Sequence, residues 1–320
     1  MYKKKVGVVF GGMSTENEVS VMSAQSVLKN LDRKKYEVFP IYINQEGQWF
    51  KYIEKEKELN FGEKIENIEE IENVIKCLKE LDVIFPVLHG LYGEDGTIQG
   101  LFELLKIPYV GCKVLASSVG MDKVYTKIVF EKAGLSQAKY EYVRKYEEKY
   151  VYINKNFEET EMKLKDISKK VSENLKFPVF VKPSNSGSSV GVNKANDVDE
   201  LREYIEYASG FDGKILIEEG INGREVECAV LGNDEVISSC IGEVRAADDF
   251  YSFDAKYKNQ ESKTDIPANI SEELSNEIRA QAIRAFKSID GSGLSRVDFF
   301  IEKDTDKIII NEINTLPRIY

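Results

Sequence analysis

The sequence is poor in the side chains that hold transition metals or form disulfide frameworks. It has one histidine, His89, and four scattered cysteines, Cys77, Cys112, Cys228 and Cys240. No C-x-x-C pair occurs, and zinc sites are built from clustered cysteine and histidine, so the usual zinc constellations are excluded. The cysteine pattern instead predicts reduced, mostly buried thiols in a cytoplasmic protein.

Long apolar runs are also missing. The first one, Val6–Phe10, follows a basic start and is ended by two glycines, so it is too short for a signal peptide and predicts a β-strand. No stretch approaches the roughly twenty apolar residues of a membrane span. The formal net charge of -11 repels phosphate backbones and anionic lipids, so we expect no nucleic-acid partner and no membrane partner. A local cluster of basic side chains could still bind an anionic nucleotide.

The remaining composition, 42% apolar and 31% charged over 320 residues, is typical of a globular enzyme with two or three domains. Strand and helix patterns alternate at first, which predicts a parallel α/β sheet in residues 1–121. A smaller, charged section over 122–213 and a strand-rich section over 214–320 follow. The predicted strands are Val6–Phe10, Val38–Ile43, Val83–Leu88, Val179–Lys182, Ile215–Glu218, Val226–Leu231, Val236–Ile241, Ser295–Ile301 and Lys307–Ile313, and the predicted helices are Val19–Leu31, Lys123–Ala133 and Glu272–Ile289.

Two glycine-containing segments follow predicted strands in the first section. Gly11–Ser20 reads GGMSTENEVS, where glycines let backbone N–H groups approach a ligand, although Ser14 and Glu16 taken alone also fit a helix cap. His89–Thr97 reads HGLYGEDGT and comes directly after a strand end, where α/β sheets bind ligands. A simple glycine-rich connection, with His89 as a cap, explains this second segment equally well.

Two further segments suit a nucleotide. Val181–Gly191, VKPSNSGSSVG, has a lysine at a strand end before a Ser/Gly loop, which offers a point charge and flexible donors to a phosphate. The alternative for this segment is a mobile surface loop. In Ile217–Glu227, acidic residues at strand ends match ribose hydroxyls, although solvated strand edges have the same composition.

The last motif combines acidic and apolar residues. Two apolar strands, RVDFF and INEINT, carry Asp298, Glu312 and Asn314. With a period of two, Glu312 and Asn314 point the same way and Asn311 points the other way. Burying a carboxylate in such a strand is unfavourable unless it is paired or metal-bound, so we predict oxygen ligands for Mg²⁺ here.

In this order the segments resemble the D-alanine–D-alanine ligase family of ATP-grasp enzymes, over essentially the whole chain. The resemblance rests on GGMSTENEVS, HGLYGEDG, MDK (121–123), VKPSNSGSSVG, GRE (223–225) and NEINT (311–315). The family implies an α/β (α+β) fold of three domains, an N-terminal parallel α/β sheet domain plus two α+β domains that grip ATP. It also implies a cytoplasmic homodimer that binds D-alanine and ATP with two Mg²⁺ or Mn²⁺ ions, and K⁺ as a further candidate ion.

The family's site residues carry over position by position. Glu16, Ser188, Tyr257 and Arg296 match its catalytic residues, and His89, Glu94 and Lys256 match the residues around the first D-alanine. Lys123, Lys182, Ser189, Glu218, Glu219, Ile221 and Glu225 match its ATP-binding residues, and Asp298, Glu312 and Asn314 match its metal ligands. The polar loop 246–267 is expected to be a lid that Tyr257 closes together with Ser188 and Glu16.

The resemblance implies that the chain joins two D-alanines through an acyl phosphate, with release of ADP and phosphate, for peptidoglycan precursor and cell-wall synthesis. One alternative is a D-serine or D-lactate second substrate, the lactate type being disfavoured by Tyr257. Another is ATP binding without ligation, because the family continues after Asn-Thr-x-Pro with Gly and a Ser/Thr segment. Here Arg318 follows Pro317 and the chain ends at Tyr320. We therefore expect a chain with this ending to bind ATP but to form little dipeptide.

Overall fold

The computed structural model describes residues 2–53, 62, 65–245 and 263–319, which form three β-sheets and the helices packed on them. The predicted lid residues Lys256 and Tyr257 lie outside the described residues. In the part of the chain that is described, no helix combines the length and apolar character that crossing a membrane would require.

The first sheet is built from five strands. They are β1 Lys4–Gly11, β2 Tyr36–Ile43, β3 Trp49–Tyr52, β4 Ile68–Glu70 and β5 Val83–Pro86. Their order is β4–β3–β2–β1–β5, with β1 parallel to β2 and β5 and with β3 and β4 antiparallel. The predicted parallel core of this section is therefore confirmed.

The helices of the described residues are mostly short and amphipathic. They are α1 Asn17–Asn30, α2 Val74–Lys79, α3 Thr97–Leu105, α4 Val114–Met121, α5 Lys123–Lys132, α6 Leu164–Asn174, α7 Val198–Ala208 and α8 Glu272–Ser288. Asn73, Asp122, Asp197 and Ser271 cap four of them by accepting backbone N–H groups of the first turn. Such caps satisfy donors that a helix cannot satisfy itself and so fix where it begins.

The second sheet has six strands, and the strand that comes last in the chain lies between two earlier ones in the middle of the sheet. The strands are β6 Tyr140–Tyr146, β7 Lys149–Ile153, β8 Glu159–Glu161, β9 Val179–Pro183, β10 Asn193–Ala195 and β11 Lys214–Glu219. Their order is β10–β9–β11–β6–β7–β8. Because β11 pairs only with the second sheet, the predicted 214–320 section loses its first strand, and we propose that the boundary between the second and third sections follows Glu219.

The third sheet is antiparallel throughout. Its strands are β12 Gly223–Gly232, β13 Val236–Arg245, β14 Lys263–Asp265, β15 Gly293–Glu302 and β16 Ile308–Asn314. They run in the order β14–β13–β12–β15–β16. Phe286 of α8 and Phe130 of α5 are fully buried in the same core as Val297 and Phe299 of β15. This packing holds β15 and β16, which carry the acidic motif, on a rigid support.

The cysteines are free thiols. Cys112 and Cys228 are buried and Cys77 is partly buried, whereas Cys240 is exposed. The expectation of mostly buried thiols therefore agrees with Cys112, Cys228 and Cys77, while Cys240 is the exposed exception on β13.

Candidate active site

A cavity of about 560 Å³ opens where the three sheets meet. Most of the predicted site residues line it, namely Glu16, Glu94, Lys123, Lys182, Ser188, Ser189, Glu218, Glu219, Ile221, Glu225, Arg296, Glu312 and Asn314. His89 and Asp298 are buried directly behind its wall. Residues separated by up to about three hundred positions therefore meet at one place, which no single motif required.

One end of the cavity is organised by a buried carboxylate between two lysines. Lys127 Nζ lies 2.7 Å from Glu218 Oε2, and Lys182 Nζ contacts Glu218 Oε1. Burial would raise the pKa of the Glu218 carboxyl, but the charges of Lys127 and Lys182 lower it to about 2. Burial likewise acts to lower the pKa of Lys182, but Glu218 outweighs it and the pKa is raised. The Glu218 carboxylate and the Lys182 ammonium therefore stay charged at neutral pH.

Sequence reasoning missed Lys127. It lies four residues after Lys123 on α5, so both lysines share one helix face. This spacing of four residues is the feature of the sequence that could have identified Lys127. Lys123 Nζ donates to the carbonyl oxygen of Ser186 over 2.6 Å. Lys127 is only 3% exposed and contacts the carboxylate of Glu218.

The Ser/Gly loop after β9 is anchored at its base, contrary to the alternative of a mobile surface loop. Ser184 is fully buried and donates to Asp122 Oδ1 over 2.7 Å, and Lys214 contacts the other oxygen of Asp122. Burial opposes the ionisation of Asp122, but its hydrogen bonds from Lys214 and Ser184 lower its pKa. Asn185 donates twice to Asp212, over 2.8 and 2.9 Å. The start of the loop is thereby joined to α5 and to the turn before β11.

The tip of the same loop reaches the first sheet. Ser188 and Ser189 have positive φ angles of 50° and 60°, a conformation that is unusual for residues with a Cβ. Ser188 Oγ donates to Glu16 Oε1, and Arg318 Nη2 donates to the same oxygen over 2.8 Å and to Ser188 Oγ over 2.7 Å. The predicted proximity of Ser188 and Glu16 is thus present, and Arg318 is a third member that sequence reasoning had not placed there.

His89 holds the wall of this end from behind. Its Nδ1 faces the carbonyl oxygen of Leu316 at 3.2 Å and Glu94 Oε1 at 3.4 Å, and its Nε2 lies 2.9 Å from Ser23 Oγ. A carbonyl can only accept, so the tautomer that fits has the hydrogen on Nδ1. Burial raises the pKa of the Glu94 carboxyl, and Glu16 adds to the rise while His89 opposes it. The imidazole thus positions Glu94 and does not itself line the cavity.

In the middle of β15 and at the end of β16, charged and polar side chains form a cluster. Arg296 donates to both oxygens of Asp298, over 2.7 and 2.6 Å, and lies 3.3 Å from Glu227. Asn314 Nδ2 donates to Asp298 Oδ2 over 3.0 Å. Burial raises the pKa of Asp298 and Arg296 opposes the rise. Pairing with Arg296 therefore offsets only part of the predicted cost of burying Asp298, because the pKa of this carboxyl stays raised, at about 7.

The expected alternation along β16 is broken. The pairing of β15 with β16 changes register between Asp298 and Phe299, which leaves Asn311 opposite no residue of β15. As a result Asn311 lines the cavity together with Glu312 and Asn314. The prediction that Asn311 faces away is wrong because a local irregularity resets the period of two.

Oxygen donors at this strand end fit a hard cation in type. Among the described residues no cluster of three or more His, Cys, Asp and Glu side chains forms a metal site. Asp298 and Glu312 supply two carboxylates and Asn314 an amide oxygen, which suits Mg²⁺ when a phosphate ligand completes the shell. For Asp298 to bind an ion, its contacts with Arg296 would have to be shared.

Next to Glu218 the cavity wall also carries apolar side chains. They belong to Phe180, Ile221 and Ile309. Glu219 accepts the backbone N–H of Lys176 over 2.8 Å, which fixes the strand end. Arg224 forms a two-bond pair with Glu243, with both distances 2.7 Å, at the rim. A ligand made of a planar ring with polar edges and an attached polyanion would fit this part of the cavity. Its ring would lie on the apolar side chains and its polyanion would reach Lys182 and Lys123.

Comparison with known proteins identifies relatives along nearly the whole chain. Residues 5–112 match the family model "D-ala D-ala ligase N-terminus" and residues 129–319 match "D-ala D-ala ligase C-terminus". D-alanine--D-alanine ligase of Acetivibrio thermocellus is 48% identical over 342 residues, which covers 98% of this chain and 88% of the relative. The enzyme of the same name from Clostridium novyi is 48% identical over 319 residues, covering 98% and 89%.

Solved structures are similar over the same span. VanG D-Ala:D-Ser ligase from Enterococcus faecalis has a TM-score of 0.84 at 36% identity and covers 99% of this chain and 91% of that one. The D-alanine-D-alanine ligase from Coxiella burnetii has a TM-score of 0.80 at 29% identity, with coverage of 99% and 86%. These likenesses confirm the predicted ATP-grasp fold.

Proposed function

The chain belongs to the D-alanine–D-alanine ligase family, and we propose that it uses ATP to join two D-alanines into D-alanyl-D-alanine for peptidoglycan synthesis. The observation that carries the proposal is the single cavity that joins a lysine-rich end to a buried carboxylate, Glu16. Such a cavity can hold a nucleotide polyphosphate and an amino acid end to end.

We assign the nucleotide to the part of the cavity between the second and third sheets. Lys123 and Lys182 are the phosphate-binding cations, helped by the donors around Ser189. Glu218 and Glu225 face the ribose and the adenine edge, while Ile221 contacts the ring. Glu219 acts through its backbone, since its carboxylate already accepts Lys176 N.

The metal site that we propose consists of Asp298, Glu312 and Asn314. Mg²⁺ bound there with ATP phosphates would neutralise charge on the transferred phosphoryl group. Mn²⁺ offers the same coordination, and K⁺ is a further candidate ion. The residues themselves contribute a fixed position for the phosphates, because β15 and β16 lie on the core beneath α8.

The first D-alanine binds with its ammonium on Glu16 and its carboxylate toward Arg296. One carboxylate oxygen attacks the γ-phosphorus of ATP, the bond to ADP breaks, and an acyl phosphate forms. The neutral amine of the second D-alanine then attacks the acyl carbon, phosphate leaves, and the amine proton passes to solvent. Arg296 stabilises the charge on the transferred group in the first step. Glu94 and, behind it, His89 shape the amino-acid end.

The remaining assignments rest on the family resemblance. Lys256 and Tyr257 are proposed to close a lid over the acyl phosphate, which would otherwise hydrolyse. We propose three domains, a homodimer, and action in the cytoplasm, where ATP and a reduced-thiol environment are available.

The proposal is tested by measuring phosphate release from Mg-ATP with D-alanine while dipeptide is quantified in parallel. Equal amounts of phosphate and D-alanyl-D-alanine are expected, with neither formed when D-alanine is left out. ATP binding with no D-alanine-dependent phosphate release would instead favour a nucleotide-binding protein without ligase activity.

D-Serine as the second substrate is the closest alternative, because the VanG structure, a D-Ala:D-Ser ligase, has the TM-score of 0.84 noted above. A competition assay with equimolar D-alanine and D-serine discriminates the two. A mixed dipeptide as the main product would replace the D-alanine assignment at the second subsite only.

A further inference from the structure

Glu16 already has a cationic partner within the chain. Its side chain is 5% exposed, and its Oε1 accepts hydrogen bonds from Ser188 Oγ and from Arg318 Nη2. The guanidinium also donates to Ser188 Oγ over 2.7 Å. Arg318 therefore binds the same oxygen atom that the hydroxyl of Ser188 binds.

The other oxygen of Glu16 is enclosed by backbone. A Cβ atom on Gly90 would lie 2.6 Å from Glu16 Oε2, and a Cβ atom on Gly187 would lie 2.5 Å from it. Two glycine Cα atoms thus cover this oxygen from two sides, and neither can yield without moving the main chain. A ligand ammonium that seeks Glu16 must take the place of Arg318 at Oε1.

The two neighbouring carboxyl groups of the cavity wall, Glu16 and Glu94, favour a cation beside Glu16. Glu94 is the neighbouring carboxylate, and its pKa is raised by burial and then by Glu16. Among the described residues, Arg318 is the cationic side chain that forms a salt bridge with Glu16. Its side chain is 20% exposed and lies in a segment after β16 that has no regular secondary structure, so its departure would not unfold a helix or a strand.

We propose that Arg318 sets the affinity of the amino-acid subsite, as a tethered guanidinium that competes with the α-ammonium of the first amino acid for Glu16. The inference rests on the proposed function, because it takes the α-ammonium of an amino acid as the ligand of Glu16. Apparent affinity is the intrinsic affinity multiplied by the fraction of molecules in which the site is open. A guanidinium held by charged hydrogen bonds therefore weakens amino-acid binding about tenfold to a hundredfold.

A purely structural role predicts the opposite sign. If Arg318 were a clamp that holds the Ser188 loop onto the first sheet, its removal would loosen the subsite and weaken amino-acid binding. A competitor, once removed, leaves binding tighter. The direction of the change therefore separates the two roles.

The experiment measures D-alanine binding by calorimetry in the unmutated chain and in Arg318→Ala, Arg318→Lys and Arg202→Ala. Arg202 is the matched control, because among the described residues its ion pair is with Asp199 on the exposed surface of α7. We expect Arg318→Ala to bind D-alanine about tenfold to a hundredfold more tightly. Arg318→Lys and Arg202→Ala should stay near the unmutated value. Binding of a non-hydrolysable ATP analogue with Mg²⁺, unchanged in all four proteins, shows that each is folded.

A second arm does not depend on the substrate. Guanidinium chloride is titrated at constant ionic strength into the unmutated chain and Arg318→Ala, followed at the Gly187 and Ser188 amide resonances. Saturable binding in Arg318→Ala, with none in the unmutated chain, is the expected result. Equal guanidinium responses, or D-alanine binding in Arg318→Ala that is equal to or weaker than in the unmutated chain, would overturn the proposal.

The two arms also distinguish failure of the proposed function. If no protein binds D-alanine but Arg318→Ala binds guanidinium, the role of Glu16 toward D-alanine is wrong. In that case the assignment of Arg318 as the occupant of a cation site is supported.

Discussion

Two buried carboxylates, Glu218 and Glu16, stand at the two functional ends of the cavity and are each 5% exposed. Glu218 is bound by Lys127 from α5 and Lys182 from β9, so both of its cations come from regular elements. Glu16 is bound by Ser188 of a loop and by Arg318 of the irregular segment after β16. The partners of one carboxylate thus lie in regular secondary structure, and the partners of the other lie in irregular segments.

The difference separates a fixed charge from an exchangeable one. Removing either lysine leaves Glu218 with a buried, poorly compensated charge, because α5 and β9 cannot bring a substitute. The partner of Glu16 can withdraw without unfolding an element. A ligase that must hold the nucleotide firmly and admit an amino acid repeatedly needs one site of each kind.

The largest effect is expected at Glu312, whose charge acts on both Lys182 and Arg296. Glu312→Gln should lower turnover by about a hundredfold to a thousandfold, because it removes a metal-ligating charge next to the transferred phosphate. The melting temperature should stay close to that of Glu235→Gln, a control at an exposed turn. Turnover of the Gln variant equal to that of the control would remove Glu312 from the proposed metal site.

Lys127→Met tests whether the Glu218 end is fixed. It leaves a buried carboxylate with one cation, so we expect a loss of about 3–5 kcal/mol in the free energy of unfolding. Lys149→Met is the matched control, since Lys149 pairs with Glu161 at 3.0 Å where both side chains are more than half exposed. The control should lose about 0–1 kcal/mol. Equal losses in urea unfolding would contradict the distinction between the two ends.

The pH dependence of stability sharpens the same point. The pKa of Glu218 is about 2 in the folded chain and near its ordinary value when unfolded. Its ionisation therefore stabilises the fold fully above the unfolded pKa, and this contribution is lost as pH falls through the folded value. Glu218→Gln should flatten the decline in unfolding free energy between about pH 4.5 and pH 2. An unchanged slope would show that Glu218 does not titrate with folding.

The smallest effect is expected at Gly187. In Gly187→Ala the added Cβ would lie 2.5 Å from Glu16 Oε2, so the carboxylate must shift. D-Alanine affinity should fall about tenfold while affinity for an ATP analogue is kept. Gly100→Ala is the control, because a Cβ there meets nothing within 4 Å and lies within α3. A parallel loss of ATP affinity in Gly187→Ala would mean that the loop acts as one unit at both ends.

The fold could be predicted best where strands are apolar on both faces. On β11, Ile215 and Ile217 on one face and Leu216 on the other are all buried, and such short apolar runs are distinct in the sequence. Helix α6 was missed inside the charged section 122–213, because only a narrow stripe with Ile167 and Val171 is buried. Helix α7 could have been found from the cap at Asp197 and the apolar spacing behind it.

The site followed from motif order more than from any physical pattern in one segment. Glu16 and Ser188 are 172 positions apart, and their contact depends on how three sheets meet. Lys127 had a local signal, its spacing from Lys123, whereas the position of Arg318 had none. Asn311 lines the cavity because the pairing of β15 with β16 is irregular there. A strict alternation of side chains along a strand cannot predict such an irregularity.

The place of β11 in the middle of the second sheet has a consequence for biosynthesis. Among the described strands, β11 is the link between β9 and β6, so β6–β8 and β9–β10 are not joined directly to each other. A ribosome adds about 5–20 residues per second, and the strands up to Ala195 are made before Lys214–Glu219. Until that strand emerges, the nascent chain carries two half-sheets with open edges, which are surfaces prone to wrong pairing. Closure of this sheet, and with it the joining of Lys182 to Glu218, therefore has to wait for the synthesis of Glu219, when the third sheet is still to be made.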